Sequence, residues 1–327
     1  MPANLPPQYF EAEKRFRAAR SAEEKIGALD EMLAIMPKHK GTDHLKAELR
    51  SRIAKLTQAA EKKSGTNRAS MLIEKEGAAQ VAVVGLPNAG KSQLVAGITH
   101  ASPNVAEYPF TTYSVTPGMM AFENIQIQLL DTLPLVPQAI EWWFRHLLVR
   151  ADALVVLVDL GDKPLAQMDA ITAQLGDMRI SFGERTVASD PELILYHKKA
   201  LIVGNKMDLA NARENYAGLE EGYGKLLPVM AISAKEGTGL DELRLKIFEM
   251  LDIIRVCTKA PGKMPDLTDP IILKRGSTLA DAAASVHKDF AASLKYARIW
   301  GSGKYDGAMV KRDHILEDGD IVELHLK

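Results

Sequence analysis

A short glycine-containing segment directly after an apolar run is the feature that most constrains this chain. The run at 81–84 is Val-Ala-Val-Val, and the segment at 85–92 is Gly-Leu-Pro-Asn-Ala-Gly-Lys-Ser. Two glycines let the backbone bend until successive N–H groups point at a phosphate, while the closing lysine and serine supply an ammonium and a hydroxyl for the phosphates and Mg²⁺. The segment therefore predicts a nucleoside triphosphate site between a strand and a helix.

Two later segments specify the base. Each follows its own apolar run: Asn-Lys-Met-Asp begins at position 205, and Ser-Ala-Lys begins at position 233. The Asp208 carboxylate can accept two hydrogen bonds from one edge of guanine, and against adenine it would stay unpaired, so the pattern favours GTP over ATP. In this interpretation Asn205 braces the loop, the Lys206 stem covers the base, and the backbone N–H of Ala234 meets the guanine oxygen.

A magnesium ion is predicted beside the phosphates. Asp131 ends an apolar run and is placed to hold Mg²⁺ through water, while the Ser92 hydroxyl is positioned for the same ion. In the segment Tyr-Pro-Phe-Thr-Thr at 108–112, Thr112, in preference to Thr111, would reach the metal when a γ-phosphate is present. The alternative is that these threonines make only turn hydrogen bonds.

These assignments define one predicted site. Its catalytic residues are Lys91, Thr112 and Asp131, and its metal ligands are Ser92, Thr112 and Asp131. Its nucleotide-binding residues are Gly85, Pro87, Asn88, Ala89, Gly90, Lys91, Ser92, Gln93, Asn205, Lys206, Asp208, Ser233, Ala234 and Lys235.

One position departs from what such a site usually contains. The third phosphate motif is normally Asp-x-x-Gly, with the glycine N–H on the γ-phosphate, but here Asp131 is followed at that offset by Pro134, which has no N–H. A hydrogen bond to a charged group contributes roughly 1.5–3 kcal/mol, so its loss would weaken γ-phosphate sensing by about one to two powers of ten unless the loop shifts its register. No glutamine adjoins the motif to orient water. Asn88 either holds a K⁺ ion beside the phosphates, supplying the missing charge, or supports the loop by hydrogen bonds.

We divide the chain into three parts: a helical hairpin arm at 1–78, a nucleotide-binding domain at 79–255, and a smaller α+β module at 256–327. In the middle part, apolar runs alternate with helix-like stretches, which predicts an α/β fold with a mostly parallel, doubly wound sheet. The predicted strands are 81–84, 125–130, 153–158, 201–203 and 229–232. In the last part the predicted elements are a strand at 271–273, a helix at 278–290, and strands at 297–300 and 321–325.

The cysteine content, the length of the apolar runs and the charge of the chain indicate where the protein is located and what it can bind. Cys257 is the only cysteine, so no internal disulfide can form and a cytoplasmic location is expected. The longest apolar run, 153–158, is far shorter than a membrane span, so no membrane contact is expected. The formal net charge is −1, but positions 38–68 hold nine Lys or Arg residues against three acidic ones, which is either a solvated helix face or an RNA-binding patch.

The combined motifs resemble those of the Obg and developmentally regulated GTP-binding (DRG) proteins. The nucleotide motifs occur in that family's order, and the carboxy-terminal segments 270–278 and 313–323 look like the TGS domain, a β-grasp module that DRG proteins carry. The segment Lys-Gly-Thr-Asp-His-Leu at 40–45 is similar to the start of their basic helical arm. Only 74 positions separate Asp131 from Asn205, too few for the extra domain that DRG proteins insert there, so the chain resembles a shortened relative.

The resemblance implies a P-loop GTPase domain joined to a β-grasp TGS domain, with GTP or GDP and Mg²⁺ as ligands. It also implies slow, K⁺-assisted hydrolysis and association with ribosome or RNA through the basic arm and the TGS domain. Three functions stay open: a GTP-hydrolysing switch, a GTP- or GDP-bound adaptor whose switch Pro134 has silenced and whose TGS domain does the recognition, and, by fold analogy alone, a TGS domain that senses a small nucleotide.

Overall fold

The structure, a computed structural model, describes residues 73–99, 106–107, 114–136, 142–182 and 195–326. Nearer the amino terminus it describes seven residues, all helical: Tyr9, Lys14, Phe16, Leu29, Met32, Leu49 and Arg52. Contacts divide the chain into two units, 1–72 and 73–327. In the first unit Tyr9, Leu29, Met32 and Leu49 are buried. The other residues of 1–72, including most of the basic stretch 38–68, lie outside the described residues, so the helical hairpin stays a prediction.

The first sheet contains the apolar runs that the sequence shows. Within the described residues its strands are β1 (Ala79–Val84), β2 (Ala106–Glu107), β3 (Ser114–Phe122), β4 (Ile125–Asp131), β5 (Ala153–Asp159), β6 (Ile180–Phe182), β7 (Tyr196–Asn205) and β8 (Val229–Ala231). Their order is β2-β3-β4-β1-β5-β7-β6, and β8 also pairs with β7. All these pairs are parallel except β2 with β3 and β3 with β4. Every residue of β1 is buried, as expected for a strand covered on both faces, and the predicted α/β fold is confirmed.

Helices connect these strands and cover the sheet. They are α1 (Lys91–Ile98), α2 (Trp142–Arg150), α3 (Pro164–Asp177), α4 (Ala212–Tyr223) and α5 (Leu240–Leu251). One core cluster joins Leu94 of α1 and Ile247 of α5 to Val83 of β1, and α3 buries a stripe that includes Met168 and Ile171. None of the described helices has both the length and the apolar character that a membrane crossing requires. Because helices cover the faces of the sheet, we expect the polar residues that bind a ligand to lie at the ends of the strands.

Strand β3 is the main element of this sheet that the sequence pattern does not predict. It contains Pro117 and Gly118, residues that disfavour strands, yet it pairs with β4 from Thr116, opposite Asp131, to the hairpin tip. The tip turns at Glu123, whose φ is 48°. The hairpin therefore has Asp131, a predicted metal-binding residue, at one end and a tight turn at the other.

A second sheet forms the carboxy-terminal module, in the order β10-β9-β13-β11-β12 among the described residues. Its strands are β9 (Ile253–Thr258), β10 (Asp266–Lys274), β11 (Leu294–Trp300), β12 (Ala308–Val310) and β13 (Ile321–Leu326). The three predicted strands correspond to β10, β11 and β13, each somewhat longer than predicted. Strands β9 and β13 are parallel, whereas the other pairs are antiparallel.

The helix predicted at 278–290 is two helices, α6 (Leu279–Val286) and α7 (Lys288–Ser293). The side chains of Thr278 and Asp281 form a capping box at the start of α6. His287 then takes an extended conformation, with φ of −161°, and its Nδ1 accepts a hydrogen bond from the N–H of Asp289 at 3.2 Å. This histidine ends one helix and caps the next, which is why a single helix was the wrong prediction.

Arg255 of β9 joins the two sheets. The residue is only 9% exposed, and its guanidinium bonds Asp318 twice, from Nε to Oδ1 at 3.0 Å and from Nη2 to Oδ2 at 2.7 Å. Its Nη1 donates to Glu123 and, at 3.2 Å, to Oδ1 of Asn124, both at the tip of the β3–β4 hairpin. The guanidinium also lies 5.0 Å from the ring centroid of Phe248 in α5. One side chain thus ties the carboxy-terminal module to the first sheet.

Replacing Arg255 by methionine is expected to lower the free energy of unfolding by about 3 kcal/mol, because it leaves the half-buried carboxylate of Asp318 without its cation. Urea unfolding measures the difference. The matched control is Lys246→Met, which removes an exposed ion pair with Glu249 and is expected to cost less than about 0.5 kcal/mol. Equal effects of the two substitutions would contradict a structural role for Arg255.

The effect of Arg255→Met is also expected to depend on pH. Burial alone would raise the pKa of Asp318, but the hydrogen bonds from Arg255 outweigh burial and lower it. A carboxyl group with a lowered pKa stabilises the folded state above its unfolded pKa, and that stabilisation is lost as the pH falls through the folded-state pKa. The difference between the two proteins should therefore begin to shrink as the pH falls below about 4, the ordinary pKa of an aspartate in an unfolded chain. A difference that persists there would assign the role of Arg255 to packing.

Candidate nucleotide-binding site

The predicted motifs meet at one edge of the first sheet. Strands β4, β1, β5 and β7 are neighbours that run in the same direction. Strand β1 leads into the loop at 85–90, and the other three strands end at Asp131, Asp159 and Asn205. Ligands of open parallel sheets bind beyond these carboxyl ends. The fold thus brings together the phosphate loop, the predicted magnesium residue and the base-recognition segment.

Two glycines shape the phosphate loop because a side chain would not fit at either position. A Cβ on Gly85 would lie 2.4 Å from the carbonyl oxygen of Leu157, and a Cβ on Gly90 would lie 2.4 Å from Nδ2 of Asn205. Gly90 also has a φ of 92°, in the left-handed region, and leads directly into α1. The other predicted loop contacts differ in exposure: Ala89 is buried, whereas Pro87, Asn88 and Gln93 are exposed.

Lys91 is buried at the start of α1. Its residue surface is 7% exposed, and its ammonium donates to the carbonyl oxygens of Gly85 at 3.1 Å and Leu86 at 3.0 Å. Burial lowers the pKa of Lys91, and the nearby Asp131 carboxylate opposes that shift. A phosphate placed beside this ammonium would favour its charged form and offset the cost of its burial. The position therefore suits an anionic ligand.

Asp131 has the features of a residue that holds a hydrated cation. Its Oδ1 is buried and has no hydrogen-bond partner among the described residues. Burial raises the pKa of Asp131, and the Ser92 hydroxyl and the Lys91 ammonium oppose the rise. An unpartnered carboxylate oxygen beside an exposed hydroxyl is chemistry that Mg²⁺ and its water ligands fit. The third predicted ligand, Thr112, and its alternative Thr111 lie outside the described residues.

The segment after this aspartate packs onto the phosphate loop. The hydroxyl of Thr132 donates to the carbonyl of Val83 at 2.7 Å, and the N–H of Leu135 donates to the carbonyl of Gly85 at 3.0 Å. Pro134 therefore lies between two anchored residues. A register shift that turned the Leu135 N–H toward a γ-phosphate would have to break its bond to the loop.

Asn205 connects the phosphate loop to the Ser-Ala-Lys segment at 233–235. It is 1% exposed, its Nδ2 donates to the carbonyl of Ala89 at 2.9 Å, and its Oδ1 accepts from the N–H of Ala234 at 2.9 Å. The same Ala234 N–H is the group predicted to meet the guanine oxygen. A bound base would therefore have to share that donor with Asn205.

Asp208 is held as an ionised acceptor at the other end of the site. Its Oδ1 accepts a hydrogen bond from the Ser233 hydroxyl at 2.7 Å, and its Oδ2 lies 3.9 Å from the ammonium of the exposed Lys235. The Ser233 hydroxyl is the main cause that lowers the pKa of Asp208. Ser233 is in turn fixed by the N–H of Glu236, which donates to its oxygen at 3.2 Å. This order keeps a carboxylate, rather than a carboxylic acid, available to a base.

Asp159 is a site residue that motif reasoning does not find. Its Oδ2 lies 2.5 Å from the ammonium of Lys206, and its Oδ1 accepts from the N–H of Gly161 at 2.7 Å. The contact fixes the lysine whose stem is predicted to cover the base. The available signal is position: Asp159 ends a buried strand, as Asp131 does.

Comparisons with known proteins match both modules. The family model described as 50S ribosome-binding GTPase matches residues 80–198, and the TGS domain model matches residues 254–326. Among solved structures, the YchF GTPase of Schizosaccharomyces pombe superposes with a TM-score of 0.55 at 13% identity, covering 77% of this chain and 99% of that one. At that identity the likeness shows the fold alone, and it agrees with a P-loop GTPase fold.

Relatives are similar over nearly the whole chain. An uncharacterized GTP-binding protein of Methanocaldococcus jannaschii is 30% identical, with 93% of each chain covered. Its alignment runs over 368 positions, more than the 327 residues of this chain, so that relative has segments absent here. Ribosome-interacting GTPase 1 of Saccharomyces cerevisiae and developmentally-regulated GTP-binding protein 1 of Xenopus laevis are each 27% identical, with 92% of this chain and 98% of the relative covered. Because a relative that is 30% identical covers 93% of the chain, and because the GTPase model and the TGS model match its two modules, this chain belongs to the DRG-type family of GTP-binding proteins.

Proposed function

We propose that this protein hydrolyses GTP in a Mg²⁺-dependent reaction and acts as a molecular switch. The observation that supports this most strongly is a continuous set of contacts between the two ends of the site. Asn205 bonds both the phosphate loop and Ala234, and the neighbouring Ser233 bonds Asp208. A nucleotide that follows this path would place its phosphates at Lys91 and its base at Asp208.

The residues at the phosphate end have distinct roles in this proposal. The Lys91 ammonium would hold the β- and γ-phosphate oxygens, where it stabilises the charge of the transition state. Asp131 would bind Mg²⁺ through water and Ser92 would bind it directly. The bound ion neutralises phosphate charge, and the protein's contribution is to fix its position. Asn88, exposed on the loop, is the candidate for a K⁺ ion that supplies further positive charge.

Association with the ribosome or RNA is part of the proposal. It is supported by the matched family, which is described as ribosome-binding, and by a relative named ribosome-interacting GTPase. The basic stretch at 38–68 adds a cationic segment in the sequence, although most of it lies outside the described residues. A cytoplasmic location stays the expectation that accompanies this role.

A second function is favoured by the segment around Pro134. Pro134 has no N–H, and the N–H of Leu135 is bonded to the carbonyl of Gly85, so neither residue offers a free backbone N–H to a γ-phosphate in this conformation. A protein with this arrangement would distinguish GTP from GDP poorly. It would then act as a nucleotide-bound adaptor, with the TGS domain recognising its partner.

Phosphate release from GTP distinguishes the switch from the adaptor. We suggest measuring it with and without K⁺ and ribosomes, with Lys91→Ala as the inactive reference. A switch is expected to exceed the reference under at least one condition, and K⁺ should raise the rate if Asn88 holds that ion. Release that never exceeds the reference would reject the hydrolysis proposal and leave the adaptor.

Restoring a backbone N–H at position 134 is expected to strengthen recognition of the γ-phosphate. Pro134→Ala adds the donor, and a hydrogen bond to a charged group contributes roughly 1.5–3 kcal/mol, so the preference for GTP over GDP should rise by about tenfold or more. Competition titrations with the two nucleotides measure that preference. The exposed Pro228→Ala is the matched control and should leave it unchanged. If Pro134→Ala also leaves it unchanged, the missing N–H is not what limits γ-phosphate sensing.

A further inference from the structure

The second sheet has one face covered by α6 and an opposite face that is covered only in part. On β9 and β10 this opposite face contacts the first sheet, since Arg255 lies over the ring of Phe248 and Ile272 packs against the first sheet's core. On β11 the core residues are Ala297 and Ile299, so the residues that alternate with them project from the opposite face. These projecting residues are exposed or half-buried.

Aromatic and charged side chains form a continuous array on this part of the face. We name it the open-face array, and its members are Lys259, Tyr296, Arg298, Trp300, Glu323 and His325. The Lys259 ammonium lies 4.2 Å from the ring centroid of Trp300, and the rings of Tyr296 and His325 stack at 4.5 Å with an angle of 15° between their planes. Between these two pairs, Glu323 lies 3.4 Å from the Lys259 ammonium and 2.8 Å from Nε2 of His325.

The open-face array presents positive charge to solvent. Its one carboxylate, on Glu323, belongs to a residue that is 6% exposed and is paired with the Lys259 ammonium. Arg298 stands between the two aromatic residues of β11 and is exposed, as is the adjacent Lys295. The surface therefore combines half-buried rings with two cations, Arg298 and Lys295, that form no ion pair with the described residues. Such a surface complements a polyanion that has aromatic parts of its own.

We propose that the open-face array binds single-stranded RNA, with unpaired bases stacked on its rings and phosphates held by its cations. Exposed sheet faces that carry aromatic residues bind unstacked bases in this way, and neighbouring Arg and Lys residues follow the backbone. A duplex keeps its bases stacked within the helix and would reach only the cations. The inference deepens the ribosome or RNA association proposed above and rests on it.

The test is the affinity of the full chain, loaded with GDP, for a fluorescein-labelled oligoribonucleotide of about ten nucleotides, measured by anisotropy. The double variant Tyr296→Leu/Trp300→Leu keeps apolar bulk on the sheet but removes both rings. It is expected to bind at least about tenfold more weakly, because each base loses its stacking partner. The matched double variant Tyr296→Phe/Trp300→Phe retains a ring at each position and is expected to bind like the wild type.

A second variant tests the charge without disturbing packing. Arg298→Ala removes an exposed side chain, and with it about one phosphate contact. The affinity of the variant for RNA is therefore expected to fall less steeply with increasing salt concentration than that of the wild type. The exposed Lys246→Ala in α5 removes the same charge from a different surface and should leave that salt dependence unchanged. GDP affinity and urea unfolding, measured for each variant, serve as the controls for correct folding.

Three results would overturn the assignment. The first is equal RNA affinity for the wild type and the leucine variant, which would leave ribosome association intact but place RNA elsewhere. The second is binding of duplex RNA or polyglutamate as tight as that of the single strand, because charge alone would then explain the affinity. The third is a wild type that binds no RNA, and phosphate release from the same sample would then report separately on the GTPase proposal.

Discussion

Replacing Asp208 by asparagine is expected to lower the affinity for GTP by roughly two to four powers of ten. The carboxylate can accept two hydrogen bonds from guanine. An asparagine amide accepts one of them, more weakly because it is uncharged, and it presents a donor to the other guanine N–H, so one bond is weakened and the other is replaced by repulsion. In the structure this carboxylate is kept ionised by the Ser233 hydroxyl at 2.7 Å, which lowers its pKa. Isothermal titration calorimetry with GTP measures the loss.

The same variant is expected to gain affinity for xanthosine triphosphate, because the C2 carbonyl of xanthine can accept a hydrogen bond from the new amide. The matched control is Asp252→Asn at the end of α5, where the carboxylate pairs with Lys199 at 3.5 Å and Arg275 at 3.1 Å outside the predicted site. That control should leave both affinities unchanged. GTP affinity that survives Asp208→Asn would show that the base does not lie at this carboxylate, and the assignment to guanine would fail.

Replacing Lys91 by methionine is expected to lower the rate of GTP hydrolysis by roughly two to three powers of ten. The substitution removes an ammonium placed for the charge that develops on the phosphates, and groups in such positions have effects of that size. The affinity for GTP should fall as well, because the β- and γ-phosphates lose the same contact. Single-turnover phosphate release and calorimetry measure the two effects.

Stability of the nucleotide-free protein separates this loss from misfolding. Lys91 is 7% exposed, and methionine keeps the length of its stem while it removes a buried charge. The free energy of unfolding is therefore expected to stay within about 1 kcal/mol of the wild-type value, since the lost bonds to two carbonyls and the relieved desolvation oppose each other. The exposed Lys246→Met should change neither hydrolysis nor stability. A Lys91→Met protein that hydrolyses GTP at the wild-type rate would place the phosphates elsewhere.

Whether a strand can be predicted from the sequence depends on what packs against its two faces. Strands β1 and β5 can be recognised because both of their faces are packed, so apart from Gln80 and the terminal Asp159 their residues are apolar without alternation. Strand β3 cannot, because Pro117 and Gly118 interrupt its propensity and its pairing with β4 decides its conformation. The helix break at His287 is hidden for a similar reason, since an imidazole that caps a following helix has no strong local signature.

The candidate site likewise has parts that can be predicted from the sequence and parts that cannot. The phosphate loop and the two predicted guanine-recognition segments are each one short continuous stretch of the sequence. Their chemistry requires particular residues at fixed offsets, so each can be predicted with its residues named. The partner of Lys206 is different, because Asp159 lies on another strand and meets the lysine only through the order of the sheet. The bond between Leu135 and Gly85 is likewise invisible in the motif, although it bears directly on how Pro134 affects the switch.

Local chemistry therefore establishes the class of ligand, the order of the motifs and the α/β architecture, because each depends on residues that are close together in the chain. Packing alone decides which distant residues meet. Arg255 reaches the tip of the β3–β4 hairpin, and Lys259 reaches the ring of Trp300, because strand order and side-chain alternation bring those residues to the same face. Alternation assigns each residue to a face, but only the assembled sheets determine what that face contacts, and whether it is buried between the modules or left exposed.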